Sequence, residues 1–212
     1  MRTLLLINFT ILTIACFGQK VPLKPARAIP QIYVYNIHGD TTNLKAVSNN
    51  KVTFIDFWFI PCGPCFVEMN MLHKIYARYK YNPNVAFLTV TLTDSAFVRP
   101  LIENRNTNSN ETYNYFKKLA DLDTFKLPVY FIKDVSSVQK SLKKDKIGYT
   151  GRGERPLKER SNYPNMIFGF TAYPTIMIFN KYGQLMYNKT GFTKASEKSQ
   201  QKAIEEVIDH GL

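Results

Sequence analysis

The chain has 212 residues, of which 45% are hydrophobic and 21% are charged. This length and composition are typical of one globular domain with a hydrophobic core, and they exclude an intrinsically disordered chain. The formal net charge of +12 is compatible with an anionic membrane surface or an acidic partner. We expect no nucleic-acid partner, because the N-terminus carries the features of an export signal.

The N-terminal residues 1–18 form a predicted secretory signal peptide. Arg2 precedes an uncharged, mostly apolar run from Leu4 to Ala15, and cleavage is expected after Gly18. Two alternatives are an uncleaved membrane anchor and a lipoprotein signal acylated at Cys16. The sequence therefore predicts an exported protein, periplasmic or associated with the cell envelope, in which a membrane or lipid tether remains an open alternative.

Removal of the signal leaves Cys62 and Cys65 as the cysteines of the mature chain. A disulfide between them is the first expectation for an exported protein. Such a bridge would close a very short loop and so contribute little stability. The spacing therefore favours redox chemistry over a structural role.

The first half of the predicted domain, which spans 31–212 after a linker at 19–30, alternates strands with helices. Apolar runs and changes of hydrophobic period mark the elements. They are a strand–turn–strand over Gln31–Leu44 with Gly39 in the turn, a central strand at Val52–Phe59, a helix at about Cys62–Lys80, a strand at Val85–Thr93, and helices at Ala96–Asn104 and Glu111–Leu122.

The second half continues with a long polar stretch and ends in a hairpin and a helix. The predicted elements are a short strand at Leu127–Ile132, a helix at Val138–Lys144, a loop at Gly148–Pro164, antiparallel strands at Thr175–Phe179 and Leu185–Asn188 around Gly183, and an amphipathic helix at Lys194–His210. This order predicts an α/β fold in which helices flank a mixed central sheet.

The stretch FWFIPCGPCFVEM places the two cysteines where a strand gives way to a helix. At a helix N-terminus the dipole and free N–H groups favour a thiolate, so Cys62 is the predicted nucleophile. Cys65, one turn later, is the predicted resolving thiol. Pro64 suits an early helix position.

Two acidic residues lie near the cysteines in sequence. Asp56 interrupts an apolar strand, which is costly unless the carboxyl is used, and we predict that it accepts the proton of Cys65. The alternative is a strand-end residue in a polar niche. Glu68 either assists proton transfer through water or is a solvated helix residue.

The segment DFWFIPCGPC resembles the DFWAxWCGPC pattern of thioredoxins. From about Ile29 to Leu212 the chain is similar to the exported TlpA/ResA-like thiol-disulfide oxidoreductases. The position of Glu68 after CGPC also fits the pattern of that branch. The resemblance implies a thioredoxin-like fold in which Tyr173 and Pro174 form a cis-proline loop that docks the substrate. It also implies that the residues around the cysteines, namely Pro61, Gly63 and Pro64, face the substrate.

Two departures from this family stand out. Pro61 occupies the position of the family's tryptophan, which removes an aromatic surface beside the nucleophile. A long helical and loop insertion, about 96–163, precedes the cis-proline strand, and we expect it to shape a partner surface. It includes the basic stretch Gln139–Arg160, for which a solvated loop is the simpler interpretation.

Three other interpretations of the CxxC pair differ from this one. Zinc binding by CxxC would need two further ligands, but His38, His73 and His210 are scattered and typical of surface residues. A peroxiredoxin-like peroxidase shares the fold but not the PxxxTxxC pattern. A thioredoxin-like module that binds a partner without turnover remains the alternative of a different class.

The predicted function is disulfide exchange with protein thiol or disulfide substrates, with the chain acting as a reductant. The Gly63-Pro64 dipeptide, shared with thioredoxins, favours this direction. We expect no metal or organic cofactor. An exported reductase needs an electron source, for which a membrane-bound thiol carrier is the expected partner.

Overall fold

A computed structural model describes residues 26, 28–91, 93, 95–103, 111–134 and 167–212. The predicted signal peptide, the predicted helix Val138–Lys144, the predicted loop Gly148–Pro164 and the basic stretch Gln139–Arg160 all lie outside the described residues.

Seven described strands form one mixed sheet, as the order of predicted elements indicated. The sheet order is β2-β1-β5-β4-β3-β6-β7. The pairs β3/β4 and β4/β5 are parallel, and the other neighbours are antiparallel. The strands are β1 Tyr33–Asn36, β2 Thr41–Asn43, β3 Val52–Trp58, β4 Val85–Thr91, β5 Val129–Asp134, β6 Thr175–Phe179 and β7 Leu185–Thr190.

The central strand β3 is buried along its whole length, because helices and loops cover both faces of the sheet. Alternate side chains point to opposite faces. Phe54 and Trp58 join the core on the face of the long helix that follows β3. Ile55 and Phe57 join a second core on the other face.

Five helices are described, four of them close to their predicted positions. They are α1 Leu44–Val47, α2 Gly63–Tyr79, α3 Ser95–Ile102, α4 Glu111–Ala120 and α5 Glu197–Gly211, the last preceded by a 3₁₀ turn at Lys194–Ser196. The short helix α1 was not predicted, because four residues are too few to show a helical period. None of the described helices is long and apolar enough to cross a membrane.

Part of the segment predicted as an insertion contributes to the sheet and the core. Strand β5 lies between β1 and β4 in the sheet. Phe116 of α4 is fully buried, and its ring centroid lies 5.8 Å from that of Phe66 in α2 and 5.6 Å from that of Phe125. The limits of the insertion remain a prediction.

The C-terminal helix α5 packs against α2 on the face of the sheet that carries Phe54 and Trp58. Ile204 and Ile208 are fully buried there. At the edge of this contact, Lys74 of α2 pairs with Glu197 at 2.8 Å. Since the Lys74 side chain is half exposed and solvent screens its charge, this pair contributes little, and the apolar contact is the main source of stability.

We expect Ile204→Ala to lower the free energy of unfolding by about 2–5 kcal/mol, because the truncation leaves a cavity between α5 and the sheet. Urea denaturation followed by circular dichroism measures this change. Lys202→Ala on the exposed side of the same helix is the control, and its midpoint should stay close to that of the parent. Equal midpoints for the two variants would contradict the packing described for α5.

Candidate active site

The dithiol turn begins α2, as predicted. Cys62 is the N-cap residue and forms a disulfide with Cys65, with 5.2 Å between the two Cα atoms. The backbone N–H of Cys65 donates to Sγ of Cys62 at 3.2 Å. Pro64 lies in the first turn, where its missing N–H costs nothing. The helix N-terminus therefore directs its positive end at the sulfur of Cys62.

The two cysteines differ slightly in exposure. Cys62 is 6% exposed and Cys65 is 1% exposed. Pro61 and Pro64, on either side of Cys62, are both exposed. Cys62 is thus the more accessible of the two sulfur-bearing residues, and its role as the attacking residue stays a prediction.

The segment that enters the turn is held by the loop after β4. The N–H of Ile60 donates to Oγ1 of Thr93 at 2.7 Å, and the peptide bond between Ile60 and Pro61 is cis. Neither feature was predicted. Thr93 is 33 residues away in sequence, so only the parallel pairing of β3 with β4 brings the two together.

The loop before β6 lies beside this segment. The bond between Tyr173 and Pro174 is cis, as the resemblance to thioredoxins implied. The rings of Tyr173 and Phe59 meet edge to face with 5.2 Å between centroids. The antiparallel pairing of Phe57 with Thr175 sets this arrangement, since it aligns the start of β6 with the end of β3.

Asp56 is buried in the middle of β3, with 1% of its surface exposed. By alternation it points to the same face as Phe54 and Trp58, toward α2. Its Oδ1 has no hydrogen-bond partner among the described residues. Burial raises the pKa of Asp56 to about 8, against a smaller lowering by a backbone hydrogen bond from Phe57. The interpretation as a strand-end residue in a polar niche is therefore wrong.

Glu68 is also buried, with 1% exposure, so its interpretation as a solvated helix residue is wrong. Nε2 of Gln200 in α5 donates to its Oε1 at 3.0 Å. Burial raises the pKa of Glu68 well above its usual range, the charge of Asp56 raises it further, and the bond from Gln200 opposes the shift. The fold thus brings two buried carboxyl groups, one on β3 and one on α2, close enough to interact.

Besides Thr93, two residues at this site were missed in the sequence. Gln200 lies four residues before Ile204, on the buried stripe of α5, and a polar residue on that stripe was a usable signal. Tyr115 of α4 comes close to Gly63 in the dithiol turn. No local pattern indicates this contact, because it depends on how α4 packs against α2.

Within the described ranges, no group of three or more His, Cys, Asp or Glu side chains could hold a metal ion. His38 and His210 are exposed, as predicted. His73 is not a simple surface residue, because it is half-buried and links two segments. Its Nδ1 lies 2.7 Å from the carbonyl oxygen of Met69, and its Nε2 accepts the N–H of Lys126 at 2.9 Å.

The strand order, the CxxC turn on α2 and the cis-proline before β6 together define a thioredoxin-like fold. Two solved structures share it, each with a TM-score of 0.51. One, described as the thiol:disulfide interchange protein DsbE of Chlorobium tepidum, is 17% identical, and the match covers 88% of this chain and 99% of that one. The other, described as a protein disulfide isomerase of Bacteroides thetaiotaomicron, is 13% identical and covers 88% and 91%.

Sequence comparison agrees over a shorter region. The thiol-disulfide oxidoreductases ResA of Bacillus thuringiensis and Bacillus anthracis are each 30% identical over 64 residues, or 30% of this chain. The chain matches 36% of the length of these curated relatives. No protein-family model matches. The chain therefore has a thioredoxin-like fold and is similar to ResA over 64 residues, which confirms the resemblance inferred from its sequence.

We expect Asp56→Asn to flatten the pH dependence of stability in the disulfide form. The native state keeps a proton on Asp56 up to about pH 8, whereas the unfolded chain releases it near the usual value of 3.8. The native state therefore binds more protons in this window, and its stability falls as pH rises, with a slope of at most about 1.4 kcal/mol per pH unit for one proton.

Urea denaturation between pH 5 and 7.5 measures this slope. In Asp56→Asn the slope should be smaller, because that titration is lost. The same replacement at exposed Asp40 controls for the loss of a carboxylate. Identical slopes for Asp56→Asn and the parent would contradict the burial of an ionisable Asp56.

Proposed function

We propose that the chain is an exported thiol-disulfide oxidoreductase that exchanges its Cys62–Cys65 pair with protein substrates and acts as a reductant. The observation that carries this proposal is a disulfide at a helix N-terminus with two buried, interacting carboxyl groups near it in sequence, Asp56 on the preceding strand and Glu68 on the helix that follows. Burying two acids is costly. A proton-transfer role for the dithiol accounts for both.

The exchange proceeds in two steps. The thiolate of Cys62 attacks a substrate disulfide and forms a mixed disulfide, and the other substrate sulfur leaves as a thiolate that takes up a proton. The thiolate of Cys65 then attacks Sγ of Cys62 and displaces the second substrate sulfur. Two electrons have passed to the substrate, and the chain is left with the disulfide between Cys62 and Cys65.

Asp56 accepts the proton of Cys65 in the second step. Its pKa of about 8 lies near the pKa of an ordinary thiol, so that the ionised fraction of Asp56, which grows as the pH rises toward 8, can take this proton at little cost. Glu68 assists through water, which the electrostatic interaction between its carboxyl group and that of Asp56 supports.

The substrate chain docks beside the cis-proline loop. In this proposal the backbone of Tyr173 pairs with the substrate, and Pro174 packs beside the dithiol. Pro61, Gly63 and Pro64 form the opposite border, which the exposure of the two prolines supports.

The proposal also covers the direction of electron transfer, the location of the protein and its source of electrons. The Gly63-Pro64 dipeptide supports a reducing couple, and the features of residues 1–18 support export to the periplasm or cell envelope. A membrane-bound thiol carrier would re-reduce the disulfide. Retention of the N-terminal segment, or acylation of Cys16, would tether the chain to the membrane.

We expect Cys62→Ser to abolish reduction of a disulfide-bonded model protein such as insulin, with dithiothreitol as the electron source. Cys65→Ser should instead accumulate a mixed disulfide between Cys62 and the substrate, because the resolving thiol is absent. Non-reducing electrophoresis and mass spectrometry detect this adduct. If Cys62→Ser keeps parental activity, the proposed function fails, and a parent chain that never cycles would favour the binding module.

We expect Asp56→Asn to slow turnover by about a hundredfold at pH 7, the scale of a lost general base. The parental rate should rise with pH toward about 8 as Asp56 ionises, and this rise should disappear in the variant. Steady-state kinetics from pH 6 to 9 test the change, with Asp40→Asn as control. A rate within twofold of the parent across this range would remove Asp56 from the mechanism.

A further inference from the structure

Helix α4 brings an aromatic residue against the dithiol turn. A Cβ atom built on Gly63, between the two cysteines, would lie 3.1 Å from the hydroxyl oxygen of Tyr115 and 3.8 Å from Cδ1 of Leu119. A contact of 3.1 Å is tighter than ordinary van der Waals packing. The missing side chain of Gly63 therefore leaves room for Tyr115 to lie directly on the turn.

Tyr115 is held in place by the core beneath it. Its ring meets that of Phe66 edge to face, with 5.6 Å between centroids. Phe66 is fully buried in the first turn of α2 and also packs against Phe116. The ring of Tyr115 is therefore held in one position, so that little conformational entropy is lost when another molecule binds over it.

The outer side of Tyr115 is accessible, since 41% of the residue is exposed. Pro61 and Pro64 are exposed beside the same turn. Tyr115, Pro61 and Pro64 form an apolar rim around the turn. Cys62 itself is only 6% exposed, so a group that bonds to its sulfur must come close to this rim. A polypeptide substrate has a residue adjacent to its reacting cysteine, and the side chain of that residue would lie on this rim. A small-molecule disulfide has no such side chain.

We propose that Tyr115 is a specificity-determining residue that contacts the side chain next to the reacting cysteine of a polypeptide disulfide. It favours an aromatic or large aliphatic side chain at that position. Tyrosine suits this role because its rigid ring offers a large apolar area at low entropic cost, while its hydroxyl tolerates water. This inference rests on the proposed disulfide exchange and names the class of substrate that Tyr115 would select.

The test compares two disulfide-linked peptides that differ only in the residue next to cysteine, phenylalanine in one and serine in the other. The reduced parent chain should give a higher kcat/KM with the phenylalanine peptide. We expect Tyr115→Ala to lower kcat/KM about tenfold for that peptide and markedly less for the serine peptide, so that the preference is lost. Tyr115→Phe should keep it, because the ring remains.

Tyr81→Ala is the matched control. Tyr81 is 85% exposed and follows the far end of α2, so its loss should change neither rate. Circular dichroism checks folding, and Tyr115→Gln, which keeps a side chain of similar reach without the ring, replaces Tyr115→Ala if that variant does not fold.

The outcomes separate this inference from the proposed function. A parent chain that reduces neither peptide overturns the proposed function. A parent chain that reduces both without preference, or a Tyr115→Ala variant that keeps the preference or loses both rates equally, overturns the role of Tyr115 while disulfide exchange stands. Loss of the preference in Tyr115→Ala and its retention in Tyr115→Phe support the inference.

Discussion

The burial of two interacting carboxyl groups, one on β3 and one on α2, is the constraint on which the rest of this structure depends. Asp56 and Glu68 are each 1% exposed, and desolvation is the largest cause of the raised pKa of both. Each carboxyl group would become hydrated, at lower free energy, if the apolar residues around it moved apart. The close packing of α2 and α5 on the sheet therefore does more than stabilise the fold, because it maintains the dry environment that raises the pKa of both acids.

Three elements share that task. Strand β3 carries Asp56 on the face that otherwise holds Phe54 and Trp58. Helix α2 carries Glu68 two positions beyond Phe66, so that the dithiol and the acid belong to one rigid element. Helix α5 contributes the amide of Gln200, which donates to Glu68 from a sequence distance of 132 residues. Stability and the proposed chemistry consequently draw on the same contacts.

The segment between β4 and β6 has two roles that its sequence alone does not separate. Its predicted strand and helices are present in the described part, and β5 completes the middle of the sheet. Helix α4 buries Phe116 in the core and leaves Tyr115 exposed over the dithiol turn. A helical period predicts that one face of α4 is buried, but it does not predict which surface that face meets. The contact with α2 follows from packing.

The sequence by itself determined the order of the elements, the fully buried central strand, the dithiol turn and the cis-proline loop, because apolar periods and the CGPC and Tyr173-Pro174 patterns are local. Tertiary structure alone decided the environment of Glu68, the bond from Thr93 to the segment before Pro61, and the approach of Tyr115 to Gly63. The reason is physical: desolvation and contact depend on which surfaces meet across long sequence separations, and no local period encodes that choice.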